Sequence, residues 1–150
     1  MLRYNQKGAA IVEFAIILPL LLLLIFGMIE FSLLMYNKAM ITNASREGAR
    51  RGIVYRVDPT TFNYSPLTDT QIQTEVTNYL SNHLITLSGT STHTTTITRA
   101  VAVSGNTLDV QVSYPYNFLV VPPIAALAAP GGTALPGSIT LSSSTTMRME

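Results

Sequence analysis

Residues 7–50 read KGAAIVEFAIILPLLLLLIFGMIEFSLLMYNKAMITNASREGAR, and this stretch decides how the chain is built. From residue 9 to residue 36 it is almost uninterruptedly apolar, and Glu13 and Glu30 are its only charges. As a helix that run would rise ~42 Å, against ~30 Å of hydrocarbon in a bilayer. Between Phe14 and Ile29 the apolar residues surround the helix, which suits lipid or a filament core rather than one face of a soluble domain. Pro19 lacks an amide donor and crowds the carbonyl of Ala15, so a kink or local unwinding is expected there.

Glu13 is the most informative residue of the run. A carboxylate in hydrocarbon costs roughly 2.5 kcal/mol or more, so an acid at this depth marks a functional position. Glu30 lies ~26 Å further along a straight helix and cannot pair with it directly. For Glu30 two readings stand side by side: a hydrated acid among the outer headgroups, or a contact with a basic residue of a neighbouring subunit. Phe14 and Pro19 are further candidates for membrane or subunit contact.

The helix is expected to continue to Gly52. Residues 38–51 contain no proline, Glu47 can pair with Arg50 and Arg51 at i+3 and i+4, and Gly52 suits a C-terminal stop. Ala44, Gly48 and Gly52 recur every four residues. That small-residue stripe either admits another element at close range or marks a frayed end of weak helix propensity. Ala44 and Gly48 are counted here as candidate contact positions. An ordinary cleaved secretory signal would have an apolar stretch of about 7–15 residues followed by a small-x-small site. Residues 14–29 already exceed that, and Ala44-Ser45 follows charged and amide residues. A permanent single-pass anchor remains an alternative. Arg3 and Lys7 precede the run, and Lys38, Arg46, Arg50 and Arg51 follow it, so charge counting alone favours an external N-terminus.

The remainder reads as a small α+β domain. Residues 54–66 form a linker broken by Asp58-Pro59 and Ser65-Pro66. A helix is predicted over 68–87, with Ile72, Val76, Leu80, Leu84 and Leu87 as its apolar stripe, a cap from Thr68, Asp69 or Thr70, and Gly89 at its end. Three strands follow. The first covers 94–103 and turns at Ser104-Gly105-Asn106. The second alternates Leu108, Val110, Val112 and Tyr114 with polar residues, and Pro115 weakens its far end or places it on an edge. The third, 139–148, carries Ile139, Leu141 and Met147 on one parity. A three-stranded antiparallel sheet needs a helix over its apolar face, and the long N-terminal helix is the simplest cover. Residues 120–137 are long and apolar for a loop, suited to a membrane surface, a partner or a tucked core.

Composition narrows the chemistry. Nine basic side chains stand against eight acidic ones, which implies no bulk attraction to nucleic acid. There is no cysteine, hence no disulfide framework and no thiol chemistry. His83 and His93 have no partner at metal-ligand spacing. Neither a nucleophile motif nor a phosphate-binding glycine loop is present. No catalytic residue, no metal and no cofactor are expected.

Gly8 followed by Ala9-Ala10-Ile11-Val12-Glu13-Phe14 resembles the processing site of a type IV prepilin, cut after Gly8. Taken with Leu18-Pro19, Ile29-Glu30-Phe31 and Arg46-Glu47-Gly48-Ala49-Arg50, the first third of the chain resembles the TadE-like family of the tight-adherence (Tad, or Flp) pilus system. The ending Met147-Arg148-Met149-Glu150 is similar to ends of that family, a weaker signal. The resemblance implies a pilin-like pseudopilin, or minor pilin. Its leader, 1–8, would be trimmed by a prepilin peptidase. The helix 9–52, transmembrane over 9–36, would carry an exported domain at 53–150. The partners implied are other pilins or pseudopilins, the inner-membrane assembly platform and membrane lipid, in pilus assembly, adhesion or secretion. The N-terminus would be cytoplasmic and the C-terminal domain extracytoplasmic or on an extracellular pilus. Ala9 would become the new terminus, where type IV pilins often begin with a methylated aromatic. Loss of Arg3 and Lys7 would leave seven basic against eight acidic side chains, and the new ammonium would lie about one helical turn from Glu13. The 142 residues remaining of 150 suit a minor component. The alternative is a permanently anchored single-pass protein with a small extracytoplasmic binding domain.

Overall fold

The computed structural model describes residues 6–57, 62–86, 92–102, 104–120, 122–123 and 136–149. Most of the leader, Asp58-Pro59, Leu87, Gly89 and most of the 120–137 loop therefore lie outside the described residues.

The fold is α+β. Helix α1 (Gln6–Gly52) is a single element of 47 residues. It runs unbroken through Pro19, so the expected local unwinding does not occur. One missing amide bond is a small loss in so long and apolar a helix, and neighbouring turns keep their own bonds. Two very short strands follow, β1 (Arg56–Val57) and β2 (Tyr64–Ser65), paired antiparallel with Arg56 opposite Ser65 and Val57 opposite Tyr64. The segment expected to be a plain linker thus holds a two-rung ladder.

Helix α2 (Asp69–His83) opens on a capping box. Thr68 Oγ1 accepts from the Gln71 amide at 3.3 Å, and the Gln71 side chain accepts from the Thr68 amide at 2.9 Å. Ile72, Val76 and Leu80 are buried, as their spacing predicts. The helix stops four residues short of the expected end, with Leu84 already extended. The cause is Asn37 of α1. Its side-chain amide donates to the Ile85 carbonyl at 2.8 Å and accepts from the Ile85 amide at 3.0 Å. Asn37 is fully buried, and these two bonds offset the cost of taking its amide out of water.

Strands β3 (Thr94–Arg99), β4 (Thr107–Asn117) and β5 (Ser138–Arg148) form one antiparallel sheet in the order β3-β4-β5. Along β4 the even residues Leu108, Val110, Val112, Tyr114 and Tyr116 are buried beneath the helices. β3 ends at Arg99, four residues before the expected limit. The turn at Gly105 (φ +92°) does not close a tight hairpin onto β3. The Gly105 amide instead donates to the Met149 carbonyl at 2.9 Å, and the Met149 amide to the Asn106 carbonyl at 2.8 Å. Pro115 stays within β4, opposite Thr140 of β5. β3 begins opposite Ser113, so at Pro115 the central strand has a neighbour on one side only. A missing donor is tolerated at such a local edge.

The small-residue stripe of α1 is where the other elements come closest. A Cβ added at Gly48 would lie 2.6 Å from Val76 Cγ2, and one at Gly52 would lie 2.5 Å from Leu108 Cδ2 and 2.7 Å from Ile72 Cδ1. Close packing by α2 and β4, rather than fraying, explains these glycines. Ala44 and Gly48 are consequently buried within the chain's own head, not exposed as subunit or membrane contacts.

Candidate functional site

The two halves of α1 have different surroundings. From residue 8 to residue 29 no residue is buried, and Phe14 and Pro19 are both exposed. That bare segment of 22 residues rises ~33 Å, close to the ~30 Å of bilayer hydrocarbon. From Glu30 onward α1 belongs to the head, with Leu34, Ile41, Ala44 and Ala49 in the core. The 9–36 run, expected to be transmembrane throughout, is therefore divided at Glu30.

Glu30 is 3 % exposed, inside the chain's own head. Its carboxylate accepts from the backbone amides of Leu119 and Val120, just after β4. The Tyr116 hydroxyl donates to the Glu30 backbone carbonyl at 3.3 Å. Burial, and then the Glu30 charge, push the Tyr116 hydroxyl above its ordinary value of 10.0, so it stays a donor at neutral pH. Sequence reasoning missed this arrangement. The acceptor and its donors are 89 and 90 residues apart, and backbone amides leave no mark in a sequence.

Glu13 contrasts with Glu30. It is exposed on the bare segment, and among the described residues no hydrogen bond or ion pair engages it. Gly8 and Ala9 are exposed as well, within the first turns of α1.

At the other end of α1, Glu47 meets Arg50 at 2.9 Å and Arg51 at 2.6 Å, as the i+3 and i+4 spacing predicts. Arg51 also reaches Glu75 of α2 at 2.6 Å, a cross-helix bridge the sequence did not reveal. Arg51, followed by Arg50, holds the Glu47 carboxyl below its ordinary 4.5. Ser144 and Thr146 hydroxyls donate to Asp109 across β4 and β5 and hold it below 3.8. His93 contacts Thr77 at 3.1 Å, and burial pushes its imidazole below 6.5. In all three cases the unfolded chain binds more protons, so stability falls as pH falls. The His93 contribution is lost first, below its unfolded value of 6.5. The two carboxylates contribute fully above 4.5 and 3.8 and lose that contribution as pH drops through their lower folded values. Melting temperature against pH is therefore expected to fall in two stages, with His93→Gln removing the first. A flat profile from neutral pH to about pH 3 would contradict this linkage.

These features place a bilayer-length apolar rod, with a free acid near its start, beneath a head clamped to its upper half. Residues 8–50 match the TadE-like protein family. The TadE-like match covers the bare segment, Glu30 and the glycine at 48, and it ends before the β-sheet begins. It agrees with the family that the sequence motifs resemble, and the helix it covers is long and apolar enough to cross a membrane. No curated protein and no solved structure matches the chain.

Proposed function

We propose that this protein is a TadE-like pseudopilin, or minor pilin, trimmed after Gly8 by a prepilin peptidase and acting in assembly of a Tad-type pilus, in adhesion or in secretion. Its N-terminus is cytoplasmic and its head extracytoplasmic. Its partners are other pilins or pseudopilins, the inner-membrane assembly platform and lipid. It is a substrate of an enzyme and performs no catalysis of its own.

The observation that carries this reading is the unengaged Glu13 on an otherwise apolar, bilayer-length segment. A buried charge without a counter-ion is strongly destabilising, and a paired one much less so. Cleavage after Gly8 creates the ammonium that Glu13 lacks, on Ala9 four residues away in its own chain or on an adjacent subunit. Such pairs would set the axial register of neighbouring helices. Glu13→Ala is expected to leave membrane insertion intact and to reduce incorporation into surface fibres strongly. Normal incorporation of the variant would sink the register role.

The deciding experiment is intact mass and N-terminal sequencing of the protein from native membranes and from sheared fibres. A chain starting at Ala9 supports the pseudopilin. A chain starting at Met1 and confined to membranes supports the permanently anchored alternative with a small binding domain.

A further inference from the structure

We propose that the corner of the head around Glu30, with Leu119, Val120 and Ile139 at its rim, is a second lipid-contact surface seated in the headgroup layer. Glu30 is the residue that positions it. The inference rests on α1 spanning the bilayer, and it does not depend on processing after Gly8.

The first support is length. The bare part of α1 stops at residue 29 after ~33 Å, which leaves no helical spacer between ~30 Å of hydrocarbon and the first buried residue of the head. Glu30 therefore stands at the membrane boundary. The second is connectivity. The Glu30 carboxylate accepts from the amides of Leu119 and Val120, so the chain leaving β4 is fixed at that same height. On the adjacent strand, the Phe118 amide donates to the Gly137 carbonyl at 2.9 Å, and Ile139 lies opposite Tyr116. The third is surface chemistry. Leu119 and Ile139 are 47 % and 45 % exposed, large apolar side chains beside the lipid-facing helix. No charged residue occurs between Asp109 and Arg148 in the sequence, so neither rim segment brings a charge into the headgroup layer.

The occupant is lipid rather than a second copy, because the rim continues the apolar surface that α1 already presents to the bilayer. Glu30 makes this possible by satisfying backbone amides that would otherwise need water at the membrane edge. Its carboxylate is turned inward onto those amides, and the apolar side chains face outward.

The chain has no cysteine, so single cysteines can report depth directly. Full-length protein carrying Leu119→Cys, Ile139→Cys, Phe26→Cys or Tyr64→Cys is labelled with an environment-sensitive fluorophore and reconstituted in phosphatidylethanolamine–phosphatidylglycerol vesicles. Positions 119 and 139 are expected to show several-fold weaker quenching by aqueous iodide than position 64, and clear quenching by a spin-labelled lipid. Equal iodide access at 119, 139 and 64, with position 26 lipid-quenched, overturns the rim and leaves the spanning helix intact. Absence of lipid quenching at position 26 overturns both. Protection at 119 that appears only at high protein-to-lipid ratio, without lipid quenching, assigns the corner to a second copy and overturns the proposal. Glu30→Ala in the position-119 background is expected to raise iodide access there several-fold, and unchanged access overturns the positioning role.

Discussion

Truncating Ile72 to alanine is expected to destabilise the head by ~2–5 kcal/mol, the range for deleting a large aliphatic side chain from a core that cannot collapse around the gap. Ile72 is fully buried on α2. Its Cδ1 lies 2.7 Å from where a Gly52 Cβ would stand, and its Cγ2 lies 3.5 Å from the corresponding point at Gly48. Both glycines belong to a rigid helix that cannot bend inward to fill a cavity. Beneath them Leu108 and Val110 are held in register by the central strand. Ile139→Ala is the matched control. Its side chain is about half exposed, and surface substitutions usually stay within ~0.5 kcal/mol. Thermal unfolding of the full chain in detergent, followed through the near-ultraviolet signals of buried Tyr114 and Tyr116, measures both. Equal melting temperatures for the two variants would show that the α1–α2–β4 contact does not hold the head together.

The second large effect belongs to Glu30→Ala. The part-buried Leu119 and Val120 amides lose a charged acceptor, and a hydrogen bond to a charged group contributes ~1.5–3 kcal/mol. The loss is local, so hydrogen exchange should accelerate at residues 119 and 120 well before it changes at Val110 or Val112. Glu13→Ala, ~26 Å down the helix, is expected to leave that exchange pattern unchanged. If both variants behave alike in this assay, the two acids do not have the separate roles assigned to them.

Patterns in the chain made much of this architecture legible. The continuous apolar run set α1, the i+4 spacing of Ile72, Val76 and Leu80 set α2, and strict alternation from Leu108 to Tyr114 set the central strand. Local rules also put the α2 cap among Thr68, Asp69 and Thr70, of which Thr68 serves, and found the Glu47 pairs. What escaped was non-local. The end of α2 is decided by Asn37, 48 residues earlier, and the extent of β3 by a turn that pairs with Met149 instead. The polar contacts of Ser45 with Ser143 and Thr145 under the sheet gave no periodic signal. Glu30 was noticed as an acid at a membrane edge, but its partners are backbone amides, which every residue type but proline carries. Pro115 pointed to a weakened end or an edge, and the edge is found, because β3 starts at Thr94 opposite Ser113 and does not reach Pro115.

The contact between Ser45 and Thr145 joins residues one hundred positions apart. Its consequence concerns timing during synthesis. The inner face of α1 meets β4 and β5, which are made well after it, so the helix is complete before that part of its cover exists. Topologies dominated by such distant pairings fold slowly, because a long loop must close before any contact rewards it. The central strand cannot acquire β5 until residues 138–148 have emerged. The head therefore matures late, and a chain stalled in export before residue 138 would leave the buried Ser45 without Ser143 and Thr145.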